Sequence, residues 1–178
     1  MRNDGNVRGT RSFVATIEGE ARLLLLIDAF SGGRGLLQGR TKLAKLDFLL
    51  RYPAFFHRAM KVRNVPVDPP VTSEQTIDQR MVRFRYGPWD PAYCALLGSV
   101  LGRGLIETVP TSRYVGFRTT TLGRGLSRAL GETAPWAPIV ERAALLKRAF
   151  PTQGGAFLKD FVYRNFPEVT QTAWGAPL

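Results

Sequence analysis

Apolar side chains recur every three or four residues in several segments of the chain, which is the spacing of amphipathic helices. The pattern predicts helices over 17–30, 54–62, 90–101, 121–130, 138–150 and 155–166. It also predicts a helix that Thr41 caps and Pro53 ends. Asp90 followed by Pro91 is the clearest helix start, because an acid is a good N-cap and proline suits the first turn.

Shorter segments have the pattern of β-strands. The predicted strands are 81–86, 105–109 and 114–119. The first of them alternates apolar and basic residues, so Arg83 and Arg85 are expected on its solvent face. The residues 87–89, which include Pro88, are expected to turn the chain before the next helix.

The order of these elements is helix, helix, strand, helix, two-stranded wing and helix. This order is typical of a winged helix-turn-helix domain. The sequence therefore predicts an α+β, mainly helical protein with a winged helix-turn-helix core and helical extensions at both ends. The expected divisions are a flexible tail (1–12), the winged-helix domain (13–132), a C-terminal helical extension (133–170) and a short tail (171–178).

The charge of the chain points to an anionic partner. Its 178 residues include 25 Lys and Arg against 14 Asp and Glu, a net charge of +11. Such a surplus favours nucleic acid or an acidic protein surface as partner. The longest apolar run, Leu23 to Ile27, is far too short to span a bilayer, and no apolar leader opens the sequence. We therefore expect a cytoplasmic protein without a membrane partner.

Few residues of the chain suit catalysis or metal binding. The segment from Gly35 to Thr41 resembles a phosphate-binding loop, but its glycines are one residue too close and Arg40 replaces the lysine. His57 has no acid near it in sequence, and Cys94 is expected to pack in the core. One His and one Cys cannot form a structural zinc site or a disulfide. We predict no enzyme activity, no cofactor and no metal.

The helix over 90–101 lacks the groups that read DNA. A recognition helix offers Arg, Lys, Asn or Gln to base edges in the major groove. This helix contains none of them, and its polar groups are Asp90, Tyr93 and Ser99. Asp90 would also face phosphate. The sequence therefore disfavours sequence-specific repression through this helix.

Two sets of residues are candidates for binding. Basic residues outside that helix suit contact with the DNA backbone without base readout, and an acidic protein surface is the alternative partner. They are Arg34, Arg40, Lys42, Lys45, Arg83, Arg85, Arg113 and Arg118. The chain also has many large apolar side chains for its size, which an obligate partner would explain. The candidates for that contact are Phe55, Trp89, Tyr93 and Trp136.

Three segments carry a resemblance to a known family. They are Gly39 to Leu50, Phe84 to Asp90 with its Tyr-Gly-Pro turn, and Gly104 to Glu107. Together they resemble the winged-helix middle components of bacterial ABC three-component defence systems, of which the Lamassu type is best known. The resemblance covers about residues 23–130. It implies a non-catalytic subunit that lies between an SMC-like ABC ATPase and an effector, often a nuclease, and contacts double-stranded DNA non-specifically.

Other functions fit the same residues. A stand-alone winged-helix transcriptional regulator or antitoxin would form a homodimer and bind DNA sequence-selectively. An RNA-binding, ribosome-associated protein would fit the charge, but the chain lacks the aromatic sheet motif expected for base stacking. Binding to specific and to random DNA duplexes separates the regulator from the adaptor.

Overall fold

The computed structural model describes residues 14–32, 34–68, 81–84 and 87–178. Over these residues the fold is α+β and mainly helical, as predicted. Its helices are α1 (Ile17–Ser31), α2 (Gly39–Arg51), α3 (Pro53–Val62), α4 (Tyr93–Gly102), α5 (Thr121–Gly131), α6 (Ala137–Ala149), α7 (Gly155–Asn165) and α8 (Pro167–Gln171). The predicted helices are present with small shifts at their ends, and α8 is an addition. In this part of the chain no helix is long and apolar enough to cross a membrane.

Helix α1 lies at the centre of the fold. Its residues from Leu23 to Ile27 are all buried, because five consecutive apolar side chains cover every side of the helix in this segment. The Thr16 hydroxyl accepts a hydrogen bond of 3.1 Å from the Gly19 amide and so caps its first turn. Gly32 ends it in the left-handed conformation, which glycine adopts without strain. Helices α4, α5 and α6 pack around it.

Three antiparallel strands form the main sheet. They are β1 (Leu37–Gln38), β4 (Ile106–Pro110) and β5 (Val115–Thr119), in the order β1-β5-β4. Leu37 and Thr108 both lie opposite Phe117 in the central strand. The predicted hairpin of β4 and β5 is therefore confirmed, and β1 is an additional edge strand. Helix α4 leads directly into β4, and α5 follows β5.

A second, smaller hairpin consists of β2 (Val82–Phe84) and β3 (Gly87–Trp89). The prediction of a turn at Gly87–Trp89 was wrong, because these residues pair with β2. Gly87 has a φ of +92°, and a Cβ there would lie 3.0 Å from the Tyr163 ring, so only glycine suits the position. The C-terminal residues run along the other edge of β2, where the Arg83 amide donates to the Ala176 carbonyl at 3.0 Å.

Two predicted helix caps are wrong. Helix α2 begins at Gly39, before Thr41, and its N-cap residue Gln38 makes no side-chain capping bond. Asp90 lies three residues before the first residue of α4 and accepts a hydrogen bond of 2.8 Å from the Ala92 amide. The Asp90 carboxylate also accepts a hydrogen bond from buried Arg51, which holds the Asp90 side chain inside the protein.

The C-terminal helices share the core of the rest of the chain. Helix α6 packs against α1, and α7 packs along α2. Ile139 and Leu146 of α6 and Leu158 and Val162 of α7 belong to the same buried cluster as the leucines of α1. The predicted flexible tail, 1–12, lies outside the described residues.

Candidate functional site

A cluster of buried polar side chains joins α1, α2 and the start of α4. The Arg22 guanidinium donates to Asp47 at 2.8 Å, and Arg51 donates to Asp90 at 2.5 Å. Asp47 also accepts a hydrogen bond of 2.7 Å from the Tyr93 hydroxyl. All five residues are at most 5% exposed. Two arginines face two aspartates, so the cluster is electrically balanced in the interior.

The environment fixes the charge of this cluster. Burial alone would raise the pKa of Asp47, but the charges of Arg22 and Arg51 and the Tyr93 hydrogen bond together hold it below its ordinary value. Burial and the Asp47 charge raise the pKa of Tyr93 well above its ordinary value. Asp47 thus stays ionised and Tyr93 stays protonated around neutral pH, whereas an acid–base catalyst needs a pKa near the working pH. What the cluster does is hold α4 against α2.

An open groove of about 890 Å³ lies between α4, the start of α2, strand β5 and the start of α7. We call it the α4 groove. Its walls include Thr41, Leu97, Gly98, Leu101, Tyr114 and Phe117. These walls are largely apolar, and the groove is open to solvent. A surface of this kind suits the apolar side of a partner molecule.

Helix α4 turns its smallest residues toward solvent. Cys94, Gly98 and Gly102 are exposed and follow one another at four-residue spacing, so they share one face of the helix. A Cβ added at either glycine meets no atom within 4 Å. The prediction that Cys94 packs in the core was wrong, because the neighbouring Tyr93 takes the buried position. The outward face of α4 is therefore smooth and apolar.

The charged side chains that line the α4 groove, among the described residues, are Arg40 and Lys159. Both are cations. The first turns of α2 and α7 also meet beside the groove, where a Cβ added at Gly155 would lie 2.9 Å from the Thr41 Cβ. Neither helix has a side-chain cap at its N-terminus, so both contribute partial positive charge. The groove is thus apolar in its walls and positive at this end.

A smaller cavity of about 310 Å³ adjoins the groove and shares Arg40 and Thr41 with it. Lys45, Phe84 and Trp89 line its other side. The Lys45 ammonium donates to the Pro88 carbonyl at 3.1 Å, and burial lowers the pKa of Lys45 to about 7. The cavity therefore extends this end of the groove toward the β2–β3 hairpin and gives it a partly aromatic wall.

Two of the predicted DNA contacts were wrong. Lys42 is 2% exposed and Lys45 is 1% exposed, so neither ammonium reaches a phosphate. Both sides of α2 are covered, since α1 and α6 pack against it as well as α7. The Lys42 ammonium lies 5.1 Å from the centre of the Phe30 ring. Burial, assisted by the charge of Lys147, lowers the pKa of Lys42 to about 8.

The other predicted DNA contacts have different environments. Arg34, Arg40 and Arg113 are exposed. Arg118 pairs with Glu107 across β4 and β5 at 2.6 Å, and Arg83 is half-buried and donates to the Thr172 carbonyl. Arg85 lies outside the described residues. Of the seven members of this set that the structure describes, three are thus fully open to a phosphate, and Arg40 among them borders the α4 groove.

The predicted partner-binding aromatics are mostly committed to packing. Tyr93 is 1% exposed, so its prediction as a surface contact was wrong. Phe55 is half-buried with its ring 4.8 Å from that of Phe48. Trp89 is half-buried, packs edge-on against Tyr93 and also lines the smaller cavity. Trp136 packs against the core from its edge.

Sequence reasoning missed several residues that shape the accessible surface. Gly155 and Lys159 of α7 reach the groove from far along the chain, and no local pattern connects them with α4. The small residues Cys94, Gly98 and Gly102, four apart in an otherwise apolar helix, were a signal that could have identified the outward face of α4. Likewise, the position of Asp47 within a run of apolar residues was a signal that could have identified the interior ion pair.

Within the described ranges, no group of three or more His, Cys, Asp or Glu side chains is placed to hold a metal ion. His57 is half-buried with its ring 5.8 Å from that of Phe56. Comparison with protein-family models, with curated proteins and with solved structures finds no match to this chain.

Proposed function

We propose that this chain is a non-catalytic adaptor with a winged helix-turn-helix core, whose recognition-helix position has become a protein-docking surface. The strand order β1-β5-β4, with α1 and α2 before the hairpin and α4 leading into it, supports a winged-helix core. In such a core α4 occupies the place of the helix that enters the major groove. Helix α3 and the β2–β3 hairpin are then an insertion before this helix.

One observation carries the proposal. Where a recognition helix presents donors and acceptors to bases, α4 presents Cys94, Gly98 and Gly102 beside an open apolar groove. Its polar residues turn away from that face, since Tyr93 bonds Asp47 and the Ser99 hydroxyl donates to Glu20 at 2.7 Å. A protein surface suits such a face better than a base pair does.

We infer the partners from the resemblance of the sequence to middle components of ABC three-component defence systems. On this proposal the chain links an SMC-like ABC ATPase to an effector, in a complex directed against phage or plasmid DNA. Exposed Arg34, Arg40 and Arg113 add sequence-independent contact with the DNA backbone.

Co-purification tests the proposal. The chain is expressed together with the proteins encoded beside it, and complexes are separated by size-exclusion chromatography. We expect a stable complex of defined stoichiometry with an ABC-type ATPase, and weak, salt-sensitive binding of the isolated chain to specific and random duplexes alike. A homodimer that holds one duplex against random competitor, without an ATPase partner, would instead identify a regulator or antitoxin.

A further inference from the structure

We infer that the α4 groove receives an amphipathic helix with acidic residues from a partner protein. The inference rests on the proposed docking function and names the chemistry of the docked segment. It follows from the shape of the groove, from its positive charge, and from the charge repulsion that a second copy of this chain would create there.

The shape of the groove suits a helix. Cys94, Gly98 and Gly102 give α4 an outward strip without projecting side chains, and at ~1.5 Å per residue the strip is about 12 Å long. That length corresponds to roughly two turns of an apposed helix. Leu97 and Phe117 also line the groove. Apolar side chains at positions i, i+3 or i+4, and i+7 of a docked helix would pack against them.

The charge of the groove selects acidic residues. Arg40 is exposed and lines it, and Lys159 lines it too, with its ammonium 3.3 Å from the neighbouring Asp160 carboxylate; no carboxylate stands among the described residues that line the groove itself. The uncapped first turns of α2 and α7 add to the same field. A helix that carries Asp or Glu at the end next to Arg40 is therefore complementary.

A second copy of this chain is a poorer occupant. Its own exposed apolar helix face, formed by Leu122 and Leu126 of α5, is flanked by Arg124 and Arg128. Docking that face would place cations against Arg40 and against the uncapped first turns of α2 and α7. DNA is also a poorer occupant, because the groove walls are apolar and offer few donors to phosphate.

The experiment uses two synthetic helical peptides of about 18 residues with the same leucine face, one with glutamates and one with lysines on the polar face. Binding of each fluorescent peptide to the full chain is measured by anisotropy. We expect the glutamate peptide to bind at least about tenfold more tightly than the lysine peptide. Equal binding of the two peptides, or no binding of the glutamate peptide, would overturn the inference.

A matched pair of variants locates the binding site. Gly98→Gln places a side chain on the floor of the groove, and Gly125→Gln makes the same change at an exposed α5 glycine. Both sites have open space for a Cβ, and both changes replace glycine within a helix, so neither variant should lose stability. Gly98→Gln should weaken the glutamate peptide at least about tenfold, while Gly125→Gln leaves it unchanged. Equal affinity of the two variants contradicts the inference.

The same variants in the co-purified complex separate this inference from the proposed function. If wild-type chain forms no complex with an ABC-type ATPase, the proposed function fails, whatever the peptides show. If the complex forms and survives Gly98→Gln as well as it survives Gly125→Gln, the groove inference alone fails. Self-association that Gly98→Gln abolishes would assign the groove to a second copy and overturn the acidic-helix occupant, as would duplex DNA that displaces the peptide from the groove.

Discussion

The Tyr93 hydroxyl donates a hydrogen bond of 2.7 Å to Asp47 Oδ2, and both side chains are buried. This bond ties the first residue of α4 to the middle of α2. It also explains the orientation of α4, because the tyrosine that points inward sets the outward face to Cys94 and Gly98. The exposed face of α4 and the interior cluster are thus two consequences of one helix orientation.

Replacing Tyr93 with Phe tests the contribution of this bond. The variant keeps the ring and removes one hydrogen bond to a charged acceptor, so we expect a loss of roughly 1.5 to 3 kcal/mol in the free energy of unfolding. Urea denaturation followed by circular dichroism measures it, and the slope of the transition should not change. Unchanged stability in the variant would mean that water replaces the hydroxyl at Asp47.

The Asp47→Asn substitution should lower the free energy of unfolding by more than Tyr93→Phe does. It leaves Arg22 and Arg51 facing one carboxylate, and breaking a buried ion pair typically costs about 3 to 5 kcal/mol. The pKa of Asp47 lies below its ordinary value of 3.8 in the folded chain. Its stabilising effect is therefore complete above that ordinary value and is lost as the pH falls through the lower, folded-state pKa.

Urea denaturation of both proteins at several pH values between 7 and 2 checks this prediction. Wild-type chain should lose stability more steeply below about pH 4 than Asp47→Asn does, because the variant has no carboxylate at this position to protonate. Parallel pH profiles for the two proteins would contradict the prediction.

Lys45 predicts a pH dependence of the same sign as Asp47, in a higher pH range. Burial lowers its pKa from 10.5 to about 7, so between these values the unfolded chain holds a proton that the folded chain has released. The free energy of unfolding therefore rises with pH across this range, and the buried charge is most costly below pH 7. Lys42, whose pKa burial lowers to about 8, contributes with the same sign.

The Lys45→Met variant isolates this effect. We expect it to be more stable than wild type by roughly 2 to 4 kcal/mol at pH 6, after allowance for the lost bond to the Pro88 carbonyl. The advantage should shrink toward zero near pH 10. Lys61→Met, at an exposed lysine of α3, is the comparison for removal of a surface lysine. If Lys45→Met were more stable than wild type by the same amount at every pH, the gain would come from packing of the methionine and not from removal of the buried charge.

The sequence predicts the helices of this fold better than its surface. Periodic leucines and Pro53 define α1, α2 and α3, and the absence of base-reading groups in α4 is evident from the residues alone. The burial of Lys42 and Lys45 is not evident from the sequence, because lysines next to an apolar stripe are typical of the solvated face of a helix. They are buried because α6 and α7, about a hundred residues later, cover that face.

The α4 groove has the same origin. One wall comes from α4, where Cys94 and Gly98 are recognisable as small residues at helical spacing. The others come from β5 and from Gly155 and Lys159 of α7, which only the packing of α7 on α2 brings near. A pattern within one segment predicts which side of that segment is apolar. It does not predict whether a distant segment covers that side or leaves it exposed.

DNA binding by the isolated chain should depend on few cations. Each phosphate contact adds about −0.9 to the slope of log K against log salt concentration. Contacts by Arg34, Arg40 and Arg113 thus predict a slope of about −3, whereas contacts by all eight predicted residues would give about −7. Fluorescence anisotropy with a random duplex at several salt concentrations measures the slope. Replacing the three arginines with serine should reduce the slope to near zero, and the same change at Arg148, an exposed arginine of α6, is the control. A slope near −7 that survives the triple substitution would place the DNA on a different surface, since Lys42 and Lys45 are buried and cannot supply the missing contacts.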